Sequence, residues 1–264
     1  MKYYYISDFF PQINIMFSIW PIITNNSYIY KKIKNQSFRK YFTIPKKTEV
    51  MVDSGSFSYY RLKNKNIKEI KLNEILKTYE IICPNYAVHN DIPVSFLQTK
   101  IDKEKLLNKN LINAKQFINK INLNKYIPIG VAQGITKEDY LKQILELYFL
   151  GYDYIGIGGI AYLSEVKINS ILSYIFQNLN LKKIGIKIHI FGVGRFNILK
   201  RFPINSFDCS TPLNDSHRDK VGKRTYYYIL NNDSKDIIKK SIRSFQKHSY
   251  NIKCYCTLCN RFKK

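Results

Sequence analysis

The chain has 264 residues, with 43 Lys and Arg against 19 Asp and Glu for a formal net charge of +24, and it is 45% hydrophobic and 23% charged. This length suits one large domain, alone or with a small appendage, and the apolar share excludes a disordered polycation of the histone-tail kind. The expectation is a folded, basic, globular protein that attracts polyanions without naming one, part of the charge reflecting the excess of Lys, Ile, Asn and Tyr that an AT-rich genome brings.

In chain order, residues Met1 to Asp8 lack the basic region and apolar run of a secretory signal. The apolar stretch Ile13 to Ile23 is interrupted by Asn14, Ser18 and Pro21, and it falls short of the ~20 residues of a membrane span. These features predict an intracellular, cytoplasmic chain with no membrane partner. Strands are expected at Thr48 to Val52, Ile82 to Val88 and Tyr126 to Val131. A helix follows from Lys137 to Leu150, with Thr136 as cap, Asp139 in the first turn, Leu141, Ile144, Leu145 and Tyr148 on one face, and Gly151 at its end. Next come a strand at Tyr154 to Ile157 running into Gly158 and Gly159, and a helix from Ser164 to about Leu179. Strands at Lys187 to Phe191, closing on Gly192 and Gly194, and at Ser206 to Phe207 complete the series, and the polar segment Ser210 to Lys223 reads as a long loop.

Strands alternating with helices imply a parallel α/β fold. Polar residues collect after successive strands, as Asp53-Ser54-Gly55, Asn90-Asp91, Gln133-Gly134 and Asp208-Cys209. The C-terminal end of the strands is the face on which a (β/α)8 TIM barrel does its chemistry. Any one of these acids would also serve as a helix N-cap. As a set, Asp53, Asp91, Asp208 and Gln133 suit work at a glycosidic carbon, where aspartate acts as nucleophile or as general acid and base, and an Asp with a Gln can read the hydrogen-bonding edge of guanine.

Six strings, in order, resemble the motifs of the tRNA-guanine transglycosylases. Val52-Asp53-Ser54-Gly55-Ser56-Phe57 is similar to their DSGGF, Asn90-Asp91-Ile92-Pro93 to the DIP of their archaeal branch, and Gly130-Val131-Ala132-Gln133-Gly134 to their G-V-x-Q-G. The stretch from Gly151 to Gly159 resembles their strand ending in I-G-G, Phe191-Gly192-Val193-Gly194 their GVG turn, and Phe207-Asp208-Cys209 their FD[CS]. The resemblance implies that Asp208 is the nucleophile that attacks the sugar C1′, that Asp53 is the general acid and base, and that Asp91 and Gln133 bind the base with the Gly158 and Gly159 backbone lining its pocket. It also implies nucleic acid and a 7-deazaguanine base as partners, extrusion of the target nucleotide from its stack, and a homodimer or heterodimer.

The sequence departs from the family in three places. Ser56 replaces the second glycine of DSGGF and adds a side chain beside the base pocket, and Ser210-Thr211-Pro212-Leu213 replaces the segment that brings an Arg to tRNA. The third departure is an expectation: that the large C-terminal RNA-binding domains of archaeal members have no counterpart here. These departures point to the related deazapurine transglycosylases that modify DNA, often encoded by phages, slightly ahead of a tRNA-guanine transglycosylase proper. The alternative of another class is a catalytically silent accessory subunit that only binds nucleic acid. A two-metal nuclease would need a tight acidic cluster that the chain does not show.

Cys254, Cys256 and Cys259 form C-x-C-x2-C, and His248 lies six residues upstream. Three thiolates at that spacing suit a tetrahedral structural zinc ion, with His248 as fourth ligand and His217 next in line. The expected organisation is therefore a barrel over residues 1–245 and a zinc-binding element over residues 246–264. His89 reads as a structural histidine with proton carriage as its alternative, Cys209 as a packed thiol, and Cys83 as a member of an apolar strand without a role.

Overall fold

In the computed structural model, described over residues 2–6, 14–24, 28–42, 44, 46, 48–62, 70–94, 100–179 and 184–209, parallel strands close into a barrel. The strands are β1 (Lys2–Ile6), β2 (Ile15–Ser18), β3 (Val50–Asp53), β4 (Tyr86–Val88), β5 (Ile127–Ala132), β6 (Tyr154–Ile157), β7 (Lys187–Ile190) and β8 (Ser206–Cys209). Each pairs with the next in chain order, and β8 closes on β1 with Tyr4 opposite Asp208. Closure leaves no unpaired sheet edge. The expected parallel α/β barrel is thus present.

The helices are α1 (Trp20–Thr24), α2 (Tyr28–Gln36), α3 (Phe38–Tyr41), α4 (Ser56–Leu62), α5 (Leu72–Ile82), α6 (Lys100–Ile118), α7 (Lys137–Phe149), α8 (Glu165–Asn178) and α9 (Phe196–Leu199). None of the described helices is long and apolar enough to cross a membrane. The α7 cap is the one the sequence predicts: the Asp139 N–H donates to Thr136 Oγ1, and the Asp139 carboxylate accepts the Thr136 N–H in return. Ser164 caps α8 by a single bond, its Oγ accepting the N–H of Lys167.

Side chains alternate across each strand, and this divides the apolar residues into two cores. Met16, Met51, Tyr86, Val88, Ile129, Val131 and Tyr154 fill the barrel interior, with Phe191 packed against them. A larger cluster, which includes Val52, Ala87, Ile155, Ile188 and Ile190, lies between the strands and the helices.

The stretch Ile82 to Val88 corrects the sequence reading. Ile75, Tyr79 and Ile82 are buried at helical spacing, so α5 runs to Ile82. Cys83 is its left-handed cap, at φ 52°, with its N–H donated to the Tyr79 carbonyl. It is exposed and belongs to no strand. The strand itself is only Tyr86–Val88. The loop Ser210 to Lys223, His217, His248, the three cysteines of C-x-C-x2-C and the whole of 246–264 lie outside the described residues.

Candidate active site

The polar residues that the sequence sets after the strands meet at the C-terminal mouth of the barrel. Asp53 ends β3, Asp208 lies on β8 itself, and Asp91, Gln133 and the Gly158-Gly159 pair follow β4, β5 and β6. Helices on the outside fix each of these turns. The Tyr79 hydroxyl of α5 lies 2.6 Å from the Val88 carbonyl and 3.2 Å from that of Val52, which ties together the strand ends that carry Asp53 and lead to Asp91. Asn110 of α6 holds Ile92 by both backbone groups, accepting its N–H at 2.5 Å and donating to its carbonyl at 3.0 Å. The Tyr140 hydroxyl of α7 donates to the Gly158 carbonyl at 3.0 Å.

Asp91 and Gln133 form a buried pair, in which Gln133 Nε2 donates to Asp91 Oδ2 at 2.7 Å. Gln133 Oε1 is buried and has no hydrogen-bond partner among the described residues. A Cβ at Gly158 would stand 2.5 Å from Gln133 Nε2, and one at Gly159 would stand 2.5 Å from Oε1. Glycine at these positions is what lets the amide lie against the β6 turn. Burial, reinforced by the negative charge of Asp53, pushes the Asp91 carboxyl up to about 7 despite the Gln133 hydrogen bond.

Asp53 is half-buried and accepts the Gly55 N–H on Oδ2 at 3.0 Å. Loss of hydration pushes its carboxyl up to about 6, the Gly55 hydrogen bond working against that and the charge of Asp208 adding to it. The mouth therefore holds carboxyls that exchange protons near neutrality, as general acid and base catalysis requires. Beside them Ser56 donates to or accepts from Ser54 at 2.9 Å, so the serine that stands where the resembled motif has glycine is tied to its own turn. Phe57 stacks on Tyr162, with ring centroids 6.1 Å apart and planes 14° from parallel, and Tyr162 is 73% exposed.

Asp208 is buried and held on one oxygen. His189 Nε2 lies 3.0 Å from Oδ1, and the Gly192 N–H donates to the same oxygen at 3.1 Å. Gly192 adopts φ 70°, a conformation that glycine reaches at little cost and that turns its N–H back onto β8. Behind the imidazole, Nδ1 lies 2.7 Å from Ser206 Oγ, which in turn bonds the Tyr154 hydroxyl.

A search of family models gives no match to the chain. The chain is, however, similar to a curated DNA-guanine transglycosylase of Salmonella montevideo. Identity is 26% over 201 residues, which cover 72% of this chain and 46% of that relative. The chain thus spans about half the length of the protein it resembles, and the transglycosylase likeness read from six motifs has a distant curated counterpart.

Sequence reasoning missed His189, Ser206 and Tyr154, which hold Asp208 from inside the barrel. The available signal was a lone polar residue between Ile188 and Ile190: both isoleucines pack toward the helices, so the residue between them points inward. The surroundings of His89 accord with a structural histidine. It is fully buried and accepts the Val131 N–H on Nδ1 at 3.0 Å, which leaves its one hydrogen on Nε2, and burial lowers it to about 3, so it stays neutral at ordinary pH. Among the described residues no group of three or more His, Cys, Asp and Glu side chains could hold a metal ion.

Proposed function

We propose that the protein exchanges guanine in a nucleic acid, DNA in preference to tRNA, for a 7-deazaguanine base through a covalent glycosyl-Asp208 intermediate. The observation that carries this reading is the meeting at one barrel mouth of a clamped carboxylate, Asp208, an acid that titrates near neutrality, Asp53, and the buried Asp91–Gln133 pair. The likeness to a DNA-guanine transglycosylase supports it and favours DNA.

In the first half-reaction Asp91 accepts the N1-H and 2-amino hydrogens of the extruded guanine, while Gln133 offers Oε1 and its second amide hydrogen. A lone pair of Asp208 forms the bond to C1′, and the glycosidic bond breaks with its electron pair retained by the base. Asp53 supplies the proton that neutralises the leaving guanine. The second half-reaction reverses each step: Asp53 takes a proton from the incoming 7-deazaguanine, whose nitrogen attacks C1′ and restores the carboxylate. The Phe57 and Tyr162 rings offer a stacking surface for an unstacked base, a contact typically worth about 1 to 3 kcal/mol.

The test is guanine exchange on matched polymers, with radiolabelled guanine and with 7-deazaguanine bases, read by incorporation and by nucleoside mass spectrometry. Incorporation into DNA is expected, fastest at an unpaired guanine, since extrusion from a duplex costs a few kcal/mol. Exchange confined to tRNA would reassign the polymer, and exchange into neither would overturn the reading. Affinity alone does not discriminate, because a +24 chain binds any polyanion in a salt-dependent way.

For the C-terminal residues, zinc held by Cys254, Cys256, Cys259 and His248 is part of the proposal, supported by their spacing in the sequence. Elemental analysis should find about one zinc per chain, and Cys256→Ser should lower both occupancy and thermal stability without unfolding the barrel. A metal-free chain, or one that keeps full occupancy in Cys256→Ser, would remove this element from the proposal.

A further inference from the structure

We infer that His189 is a positioning residue: with the Gly192 N–H it clamps Oδ1 of Asp208, so that Oδ2 is the oxygen that attacks C1′. The inference rests on the transglycosylase reading for the reaction it serves and on geometry for the clamp. An ionised carboxylate only accepts hydrogen bonds, so His189 Nε2, 3.0 Å from Oδ1, carries the hydrogen whatever the state of Nδ1. Gly192 places a second N–H on the same oxygen. Among the described residues the hydrogen bonds to Asp208 fall on Oδ1 alone, which leaves the lone pairs of Oδ2 available.

The imidazole is fixed from three sides and cannot tilt away. Ser206 Oγ holds Nδ1, the Tyr154 hydroxyl holds Ser206 Oγ, and the Phe191 ring packs against the imidazole at 4.4 Å between centroids and 67° between planes. Phe191 has its own fixed seat over Gly156, where a Cβ would come within 2.1 Å of the ring. His189 is fully buried. It touches neither base nor sugar and acts only through Asp208.

The clamp suits both halves of the exchange. When Oδ2 bonds to C1′ and the glycosidic bond breaks, Oδ1 becomes the carbonyl oxygen of the glycosyl ester and keeps both donors. When the incoming nitrogen displaces the ester, the electron pair of the C1′–O bond returns to a carboxylate already aligned, and the two donors stabilise the restored charge. Rotation of the carboxylate about its Cβ bond, which would swap the oxygens and move the attacking atom, is prevented throughout.

Single-turnover kinetics on the polymer that the wild type modifies, together with ¹⁵N NMR of the imidazoles in the free protein, test the clamp. His189→Leu should reduce kcat roughly 100-fold, the scale of a misaligned reacting group, with KM for the polymer unchanged. His189→Gln, which keeps an N–H within reach of Oδ1, should recover at least about a tenth of wild-type turnover. Tyr154→Phe, which leaves His189 and Asp208 in place and covers the case of a misfolded leucine variant, should lower kcat less and leave KM alone. NMR should show a slowly exchanging hydrogen on His189 Nε2. A bare Nε2, equal losses in the leucine and glutamine variants, or a rise in KM at constant kcat would overturn the clamp. A wild type inert on every polymer would overturn the transglycosylase reading instead, and the NMR readout would still decide the clamp.

Discussion

Asp208→Asn is expected to lower base exchange by roughly 10⁴-fold or more, the scale seen when a nucleophile is removed from a machinery that acts as a unit. An amide oxygen is too weak a nucleophile to displace a purine, and no other carboxylate holds the β8 position. The fold should survive, because the asparagine Oδ1 can still accept the His189 Nε2–H and the Gly192 N–H that now converge on the aspartate. Polymer affinity should also be nearly unchanged, since the substitution leaves the basic surface intact. Incubating wild type with substrate polymer and denaturing the mixture should yield a covalent adduct that the variant lacks. Near-normal turnover in Asp208→Asn would refute the covalent route.

Asp91→Asn should make the protein more stable and less active at once, and the sign of the first effect follows from burial. The Asp91 carboxyl lies at about 7 in the folded chain against an ordinary value of 3.8. A raised carboxyl favours the folded state fully below the ordinary value, and that contribution is lost as pH rises through the folded one. Between about pH 4 and 7 the unfolded wild type releases the Asp91 proton while the folded chain retains it, so stability is progressively lost, by up to about 4 kcal/mol at one unit per 1.36 kcal/mol. Asparagine avoids this loss and can still accept the Gln133 amide hydrogen. Melting temperatures should coincide near pH 4 and separate in favour of the variant by pH 8. At pH 8 activity should fall about 10- to 100-fold, because an amide donor then faces the donors of guanine and leaves them unpaired at about 1 to 3 kcal/mol. The wild-type rate should itself decline as pH drops through about 7, where Asp91 loses the charge that reads the base. A variant less stable than wild type at pH 8 would contradict this account.

The mouth was legible in the sequence because its residues interrupt apolar runs. Asp53, Asp91 and Gln133 stand at or just past strand ends, Asp208 lies near the end of β8, and Thr136 with Asp139 marks the start of α7 as clearly in sequence as in structure. The support behind the mouth was hidden for the opposite reason. His189 sits between two isoleucines inside β7, while Tyr154 and Ser206 open β6 and β8, and only the barrel's closure shows that all three face inward and meet. Local pattern also misled at Ile82: an apolar run continuous with Tyr86 to Val88 reads as one strand, whereas the buried spacing of Ile75, Tyr79 and Ile82 assigns its first part to α5. Of the short first two strands, β2 pairs with its neighbours β1 and β3, whereas β1 also pairs with β8 at the far end of the barrel, a partner that no local pattern reveals.

The pairing of Tyr4 with Asp208 has a kinetic consequence. The seam between β1 and β8 joins segments about 200 residues apart, and its closure carries the largest loop entropy of any contact in the barrel. The strands bearing Asp53, Asp91 and Gln133 are paired to near neighbours in sequence and can assemble earlier at lower entropic cost. The same holds for β8, which pairs with β7 across only 17 residues, so an open sheet could already set Asp208 beside His189 and Gly192, and closing the seam seals a mouth whose parts are otherwise built.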